Sequence, residues 1–144
     1  MNGNNIVDFR VTSDGLIVGP GFHDGNATGI VIVDGDAVIT AANYQGESYE
    51  LKLIRPSVIA VNDFWESNII GAVYLWELDR VPEIFLRRLF LRRLASDSTA
   101  DVLRTELRKR GSVKVFALES SYGAEVTAGC VDLFITSMSR KKPA

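Results

Sequence analysis

The only histidine of the chain, His23, stands directly before a carboxylate, Asp24. Imidazole exchanges protons near neutral pH, so a histidine beside an acid could serve general acid–base catalysis. Neighbouring residues on an extended chain point to opposite sides, however, which predicts that this pair does not face one reacting atom. The second interpretation is a loop histidine that hydrogen-bonds locally and fixes the entry to a hairpin. Both interpretations remain open at the level of sequence.

The only cysteine, Cys130, could act as a nucleophile with His23, because the members of such a pair meet only in the fold. Its position in an apolar segment instead predicts an inert, buried thiol. A metal site would have to be completed by carboxylates, and no ligand spacing supports one. The glycines within residues 19–21 lack the spacing of a phosphate-binding loop. We therefore expect no metal and no cofactor.

A loop that combines aromatic and polar side chains, residues 62–68, is the second candidate site. Aromatic anchors beside hydrogen-bonding groups are typical of protein-binding surfaces. The alternative is that the rings close one end of the sheet while the polar groups complete turns. Tyr122, in a later hairpin, is open to a packing role as well. The candidate binding residues are His23, Asp24, Asp63, Phe64, Trp65, Glu66, Asn68 and Tyr122, and no catalytic residue is assigned.

The element that must position these residues is residues 69–78, the longest nearly uninterrupted apolar run. Its β-branched and aromatic residues favour a strand, and because both of its faces are apolar we expect it to be covered on both sides. Regular alternation would place Ile69, Gly71, Val73 and Leu75 on one face and Ile70, Ala72, Tyr74, Trp76 and Leu78 on the other.

Short alternating segments bounded by turns indicate further strands. They lie at 6–12, 16–18, 28–33, 37–42, 49–53, 58–61, 113–118 and 125–136. Asp34-Gly35-Asp36 is the strongest hairpin signal in the chain. Because sequential strands commonly pair, the segments before residue 79 are expected to form a meander.

Two helices are predicted at about 82–95 and 99–110. Asp79 is expected to cap the first, whose apolar residues spread over an arc wide enough to touch more than one neighbour. The sheet, the second helix and a partner subunit are the candidate neighbours. Ser98 begins a segment that resembles a capping box, and Gly111 is a natural stop for the second helix.

Together these elements predict an α+β fold. We expect a mostly antiparallel, twisted sheet of about seven to nine strands with both helices packed on one face. The chain has 144 residues, enough to bury a core without disulfides. Residues 1–138 are expected to form a single α+β domain, followed by a basic flexible tail at 139–144.

Composition points to a cytoplasmic protein. No run reaches the ~18 apolar residues of a spanning helix, and the N-terminus lacks the basic start and apolar centre of a signal peptide. A single cysteine forms no internal disulfide, which is typical of a reducing compartment. We therefore expect no membrane association.

The net charge of −2 hides an asymmetry. Residues 80–114 hold ten basic and four acidic side chains, a net charge of +6. The rest of the chain holds six basic and fourteen acidic side chains, a net charge of −8. The first interpretation is that basic helices lie against an acidic sheet; the second is a basic surface for nucleic acid or an acidic protein. A pI near 5.4 argues against nucleic acid.

Four short motifs follow one another along the chain, with Cys130 beyond them. They are Phe22-His23-Asp24, Tyr49-Glu50-Leu51-Lys52-Leu53, Asp63-Phe64-Trp65-Glu66-Ser67-Asn68-Ile69-Ile70 and Ser120-Ser121-Tyr122-Gly123-Ala124-Glu125. Over about residues 22–136 the chain resembles small bacterial proteins of uncharacterised families with an F-H-D motif, some classed as immunity proteins of polymorphic toxin systems. It departs from them by inserting Gly25-Asn26 after that motif. The resemblance implies a small α+β domain and a protein-binding role, with no known catalytic residue.

The leading functional hypothesis is a cytoplasmic protein-binding domain, of the immunity type, whose partner is a toxin domain. One alternative is a small enzyme that uses His23 with Asp24, Asp63 or Glu66. Another is a structural protein that forms a homodimer through the wide apolar arc of the first helix. The least supported is nucleic-acid binding through the arginines at 87, 88, 92 and 93.

Overall fold

A computed structural model of the protein describes residues 4–64, 68–90, 98–122 and 125–138, apart from the side chains of Asn4 and Tyr122. The described residues form eleven strands and two helices. These are β1 (Asn4–Val7), β2 (Arg10–Val11), β3 (Ile17–Val18), β4 (Asn26–Val33), β5 (Asp36–Ala42), β6 (Ser48–Ile54), β7 (Val58–Asn62), β8 (Asn68–Glu77), α1 (Glu83–Leu89), α2 (Ala100–Lys109), β9 (Lys114–Tyr122), β10 (Glu125–Cys130) and β11 (Asp132–Met138). The predicted α+β class is confirmed.

Nine of these strands form one sheet in the order β1-β11-β6-β5-β4-β8-β9-β10-β7, and β2 and β3 form a separate ribbon. All the described pairings are antiparallel, as predicted. The predicted meander is confirmed for β4-β5-β6 but is wrong beyond it. There β6 pairs with β11, β7 with β10, and β8 with β4. The reason is that residues 55–57 bend the chain without reversing it, so β7 continues β6 instead of returning beside it.

The ladder between β6 and β11 runs on, through this bend, into the ladder between β7 and β10. Two backbone hydrogen bonds bridge the bend, from Val131 N to Ile54 O and from Ser57 N to Gly129 O, both 2.9 Å. The strand predicted over 125–136 is therefore two strands, divided at Val131. Because the two ladders are continuous, the sheet curls back on itself and encloses its concave face.

Apolar side chains fill that concave face and form what we call the inner core. Its largest fully buried members are Ile39, Leu51, Leu53, Ile70, Val73, Phe116, Leu118, Leu133 and Ile135. They come from both halves of the curled sheet, so strands far apart in the strand order share one core. Burying each such side chain contributes about 1.5–3 kcal/mol relative to leaving it exposed.

The two helices cover the other face of the sheet, as predicted. Phe85, Leu86, Leu89 and Phe90 are buried there together with Trp76 and residues of α2 and β9. The apolar arc of α1 is thus covered by the sheet and α2, and the large apolar residue of α1 that stays exposed is Ile84, at 59%. Neither described helix is long and apolar enough to cross a membrane.

The ends of α1 differ from the prediction. The helix ends at Leu89, because Phe90 has φ −118° and ψ 72°, and residues 91–97 lie outside the described part of the chain. Its N-cap residue is Pro82, which makes no side-chain capping bond. Asp79, the predicted cap, instead forms an ion pair with Arg108.

The second helix is close to its predicted bounds. Its N-cap is Thr99 and not Ser98, since the Thr99 hydroxyl accepts a hydrogen bond from Val102 N at 3.3 Å. Gly111, at φ +92°, ends it in the left-handed conformation that favours glycine, as predicted. The basic tail predicted at 139–144 lies outside the described residues.

The strand predicted over residues 69–78 is β8, Asn68–Glu77, on which both cores are built, but its alternation is interrupted. Ile70 pairs with Ser120 and Ala72 with Glu119, so Gly71 is an extra residue in β8, a β-bulge. One extra residue moves the following side chains to the opposite face. Ile70 therefore lies in the inner core with Val73 and not, as predicted, on the helix side with Tyr74 and Trp76.

Candidate functional site

The F-H-D segment is hydrogen-bonded to β8 at Ile70, the residue directly before this bulge. Asp24 N donates to Ile70 O and Ile70 N donates to Gly25 O, both at 2.9 Å, while Gly25 N closes a tight turn onto Phe22 O at 2.8 Å. Phe22 is buried in the inner core, where its ring meets the ring of Tyr49 edge-on at 5.5 Å. The segment is therefore part of the folded framework and holds His23 in a fixed place.

His23 lies on the surface and uses the carbonyl that the bulge leaves free. Its Nδ1 is 2.9 Å from Gly71 O, and since a carbonyl only accepts, Nδ1 donates. Its Nε2 is 3.4 Å from the carboxylate of Asp24. The prediction that the two neighbours point apart is wrong, because Asp24 has φ +61° and turns the chain so that both side chains lie on one side.

These contacts are the local hydrogen bonding that a structural loop histidine would make. Within the described residues His23 contacts Gly71 and Asp24, and Cys130 is buried in the inner core, so the two do not form a nucleophilic pair. The described part of the chain contains no group of three or more His, Cys, Asp or Glu residues able to hold a metal ion.

The reactivity of the Cys130 thiol tests whether it is buried in the inner core. Burial first, and Asp132 second, raise the pKa of its thiol to about 12. The thiol therefore stays protonated at neutral pH, and a protonated thiol is a poor nucleophile. We expect Ellman's reagent to leave Cys130 unmodified in the native protein for hours and to modify it within minutes in denaturant. Rapid modification of the native protein would contradict the burial.

An open cleft of about 500 Å³ lies beside His23, and we call it the His23 cleft. Its lining residues are Pro20, Gly21, His23, Asp24, Asn43, Tyr44, Gln45, Glu47 and Tyr49. One wall is the F-H-D segment, the other is the turn between β5 and β6, and buried Tyr49 lies at its base. The two walls come from parts of the chain about twenty residues apart.

The turn that forms the second wall is held by one side chain. Asn43 Oδ1 accepts from Gln45 N at 3.1 Å and from Glu47 N at 2.9 Å, and its Nδ2 donates to Glu47 Oε1 at 2.9 Å. Such a network holds a loop in one conformation. At its tip the ring of Tyr44 is 73% exposed. The wall is therefore rigid and presents an aromatic ring to solvent.

The electrostatic character of the His23 cleft is acidic. Asp24 and Glu47 supply two carboxylates, and none of its nine lining residues is a lysine or arginine. The phenol of Tyr49 responds to this environment: burial first, and the negative charge of Glu47 second, raise its pKa. A cationic group would be attracted to this cleft.

The basic side chains of residues 80–114 do not offset the negative charge of the His23 cleft. Eight of the ten basic residues at 80–114 lie in the described ranges, and six of them form ion pairs. These are Arg87–Glu83, Arg88–Glu119, Arg104–Asp101, Arg108–Asp79, Arg110–Glu106, and Lys114 with both Glu77 and Asp132. Of these pairs, Arg88–Glu119 joins a basic helix to the sheet, as the first interpretation predicts, whereas the pairs of Arg87 and Arg104 lie within one helix.

The other sequence candidates lie elsewhere. Asp63 is exposed, Phe64 is half-buried against the inner core, and Asn68 is fully buried, where its Nδ2 donates to Ala27 O at 2.9 Å and joins β8 to β4. The described residues around the His23 cleft include none of these three. Trp65, Glu66 and the side chain of Tyr122 lie outside the described residues.

Sequence reasoning missed Tyr44, Glu47 and Asn43. At the level of sequence, residues 43–48 are only the connection between the predicted strands 37–42 and 49–53, and the available signal was an aromatic residue, Tyr44, within an otherwise polar segment. No protein-family model, curated protein or solved structure matches the chain. Its function is therefore inferred from its own geometry and charge.

Proposed function

We propose that the protein is a binding domain of the immunity type that holds a basic segment of a protein partner, such as a toxin domain, in the His23 cleft. One observation carries the proposal. Two carboxylates and an exposed tyrosine surround a cleft that no lysine or arginine lines. Such a cleft is complementary to a lysine or arginine side chain, and an exposed tyrosine ring can bind such a cation over its face.

The construction of the walls supports the same role. Tyrosine brings a large amphipathic ring with few rotatable bonds, and the Asn43 network already holds its turn in place. Little conformational entropy is then lost when a partner docks. A basic side chain could lie on the Tyr44 ring while its charge approaches Asp24 and Glu47. The acidic sheet would also steer a basic partner toward the cleft.

The test is calorimetric titration of the protein with the product of the adjacent gene, since immunity proteins are encoded beside what they neutralise. We expect micromolar or tighter binding that weakens as salt is added. Tyr44→Ala should weaken binding by about tenfold or more, and Asp24→Asn and Glu47→Gln by several-fold each. Asparagine keeps the left-handed conformation at Asp24, so that variant should remain folded.

The matched control is Asp34→Asn, which removes one exposed carboxylate from another left-handed position, φ +52°, at the far end of β4. It should bind like the native protein. If the adjacent gene product does not bind at micromolar concentration, the immunity-type partner is wrong. If it binds and all four variants bind alike, the partner stands but the His23 cleft is not where it docks.

A further inference from the structure

The hydroxyl group of Tyr49 is a polar group that the fold itself does not use. Tyr49 is 9% exposed, and its ring meets that of Phe22 edge-on, with centroids 5.5 Å apart. Among the described residues this hydroxyl has no hydrogen-bond partner, and none of the unpartnered polar side-chain atoms there is sealed from solvent. Tyr49 also lines a smaller hollow beside Ser137, but its contact with Phe22 directs the ring toward the first wall of the His23 cleft. The hydroxyl therefore opens at the base of that cleft.

The two carboxylates of the His23 cleft also keep one oxygen each for a ligand. Asp24 Oδ2 is 3.4 Å from His23 Nε2, and Glu47 Oε1 accepts from Asn43 Nδ2 at 2.9 Å. Within the described ranges no group donates a hydrogen bond to Asp24 Oδ1 or to Glu47 Oε2. With the oxygen of Tyr49, three acceptors are available, one on each wall and one at the base. A ligand that satisfies all three must carry several N–H donors.

We propose that the group held in the His23 cleft is a guanidinium, so that the basic segment of the partner binds through an arginine. This inference rests on the proposed function and names the side chain that the cleft selects. A guanidinium directs five N–H donors to several sides in one plane, so it can donate to both walls and to the base at once. The ammonium of a lysine is a compact group whose three donors leave from one nitrogen. A fully methylated ammonium has no donor and would leave all three acceptors unsatisfied.

The aromatic groups of the cleft fit the same cation. The hydroxyl of Tyr44 accepts from Gln45 Nε2 at 3.4 Å, and its ring is 73% exposed, so a face of the ring is open to a ligand. A guanidinium stacks on aromatic faces and is more weakly hydrated than an ammonium. Burial, and then the charge of Glu47, raise the pKa of Tyr49, so its phenol is uncharged at neutral pH. Its oxygen then acts as a neutral hydrogen-bond acceptor at the base.

The test is an NMR titration of the isotope-labelled protein with three capped tripeptides, in which arginine, lysine or trimethyllysine stands between two glycines. We expect the arginine peptide to bind at millimolar concentration, about threefold or more tightly than the lysine peptide, because it satisfies more of the acceptors. The trimethyllysine peptide should bind most weakly. Shifts of the amide signals of residues 20–24 and 43–49 should locate the binding in the His23 cleft.

Tyr49→Phe isolates the hydroxyl, since phenylalanine keeps the ring that packs against Phe22. It should weaken binding of the arginine peptide by about fivefold and that of the lysine peptide less, since a hydrogen bond to a charged group is lost. The matched control is Tyr74→Phe, which removes a phenol hydroxyl from a half-buried tyrosine of β8 that does not line the cleft. This control should bind the arginine peptide like the native protein.

Three outcomes would overturn the inference. The first is equal binding of the arginine and lysine peptides by the native protein, which would leave a basic partner in the cleft intact as a proposal. The second is a Tyr49→Phe variant that binds the arginine peptide as tightly as the native protein does. The third is the absence of shifts with every peptide at tens of millimolar. Failure of the proposed function is distinct, because it is measured with the adjacent gene product and not with these peptides.

Discussion

Replacing Gly25 by alanine is expected to destabilise the protein by about 3 kcal/mol or more, or to prevent folding. A Cβ at this position would lie 2.1 Å from Ala42 O and 2.9 Å from Phe22 O. Both neighbours are backbone atoms, so no side-chain rotation can make room. The backbone cannot retreat either, because Gly25 O accepts from Ile70 N at 2.9 Å. The variant must break the attachment of the F-H-D segment to the sheet.

Urea denaturation followed by circular dichroism would measure this loss. The matched control is Gly29→Ala, four residues further along the chain in β4, where nothing lies within 4 Å of the added Cβ. Its free energy of unfolding should stay within about 1 kcal/mol of the native value, measured at micromolar protein. Equal stability of the two variants would show that the F-H-D segment does not approach β5 as closely as described. The missing side chain of Gly25 is thus what lets the two walls of the cleft approach each other.

The second large effect is expected at Gly15, in the turn between β2 and β3. A Cβ there would lie 2.1 Å from Trp76 Nε1, and φ is +87°, where side chains are strained. Trp76 cannot yield easily, because its ring is stacked on Tyr74 with centroids 5.0 Å apart and its Nε1 donates to Asp14 O at 2.9 Å. We expect Gly15→Ala to cost about 3 kcal/mol, by combining backbone strain with loss of this packing.

Gly35→Ala is the control that isolates the contribution of the tryptophan. Gly35 has nearly the same φ, +83°, but nothing lies within 4 Å of its missing Cβ. Gly35→Ala should therefore lower the free energy of unfolding by only the ~1–2 kcal/mol that the left-handed conformation costs an alanine. In Gly15→Ala the fluorescence of Trp76 should also change, which Gly35→Ala should not cause. If both variants lose the same stability with unchanged fluorescence, the ribbon does not rest on Trp76.

The residues of the F-H-D motif have separate structural tasks in this chain. Phe22 anchors the segment in the inner core, His23 satisfies the carbonyl released by the bulge at Gly71, and Asp24 adopts the left-handed conformation that turns both polar side chains outward. The bulge matters because it places Gly71 O where His23 Nδ1 can donate to it. Asp24 and Glu47 have structural roles of their own, which is why the variants proposed to test binding at these positions are isosteric.

Local sequence patterns alone determine many of the turns, strands and helix ends of this protein. The hairpin predicted at Asp34-Gly35-Asp36 is present, with Asp34 and Gly35, both at positive φ, as its turn and Asp36 already in β5; the alternation of residues 49–53 gives a strand with one buried face. Gly111 ends the second helix and Cys130 lies in the core, as predicted. These features succeed because turn preferences, period-two burial and helix stops act over a few residues and depend little on the rest of the chain.

Tertiary structure alone decided the strand order, the bulge at Gly71 and the His23 cleft. Pairing between β6 and β11 joins residues some eighty positions apart, and no local period encodes which distant edges meet. The bulge follows from matching β8 to β9, and it changes which face Ile70 occupies. The cleft exists because a segment ending at Asp24 and a turn beginning at Asn43 converge over Tyr49. Sequence supplies the acidic and aromatic side chains; the pairing of Asn26 with Ala42 across the β4–β5 hairpin sets the two segments side by side, and the hydrogen bonds of Asp24 and Gly25 with Ile70 of β8 hold the first of them there.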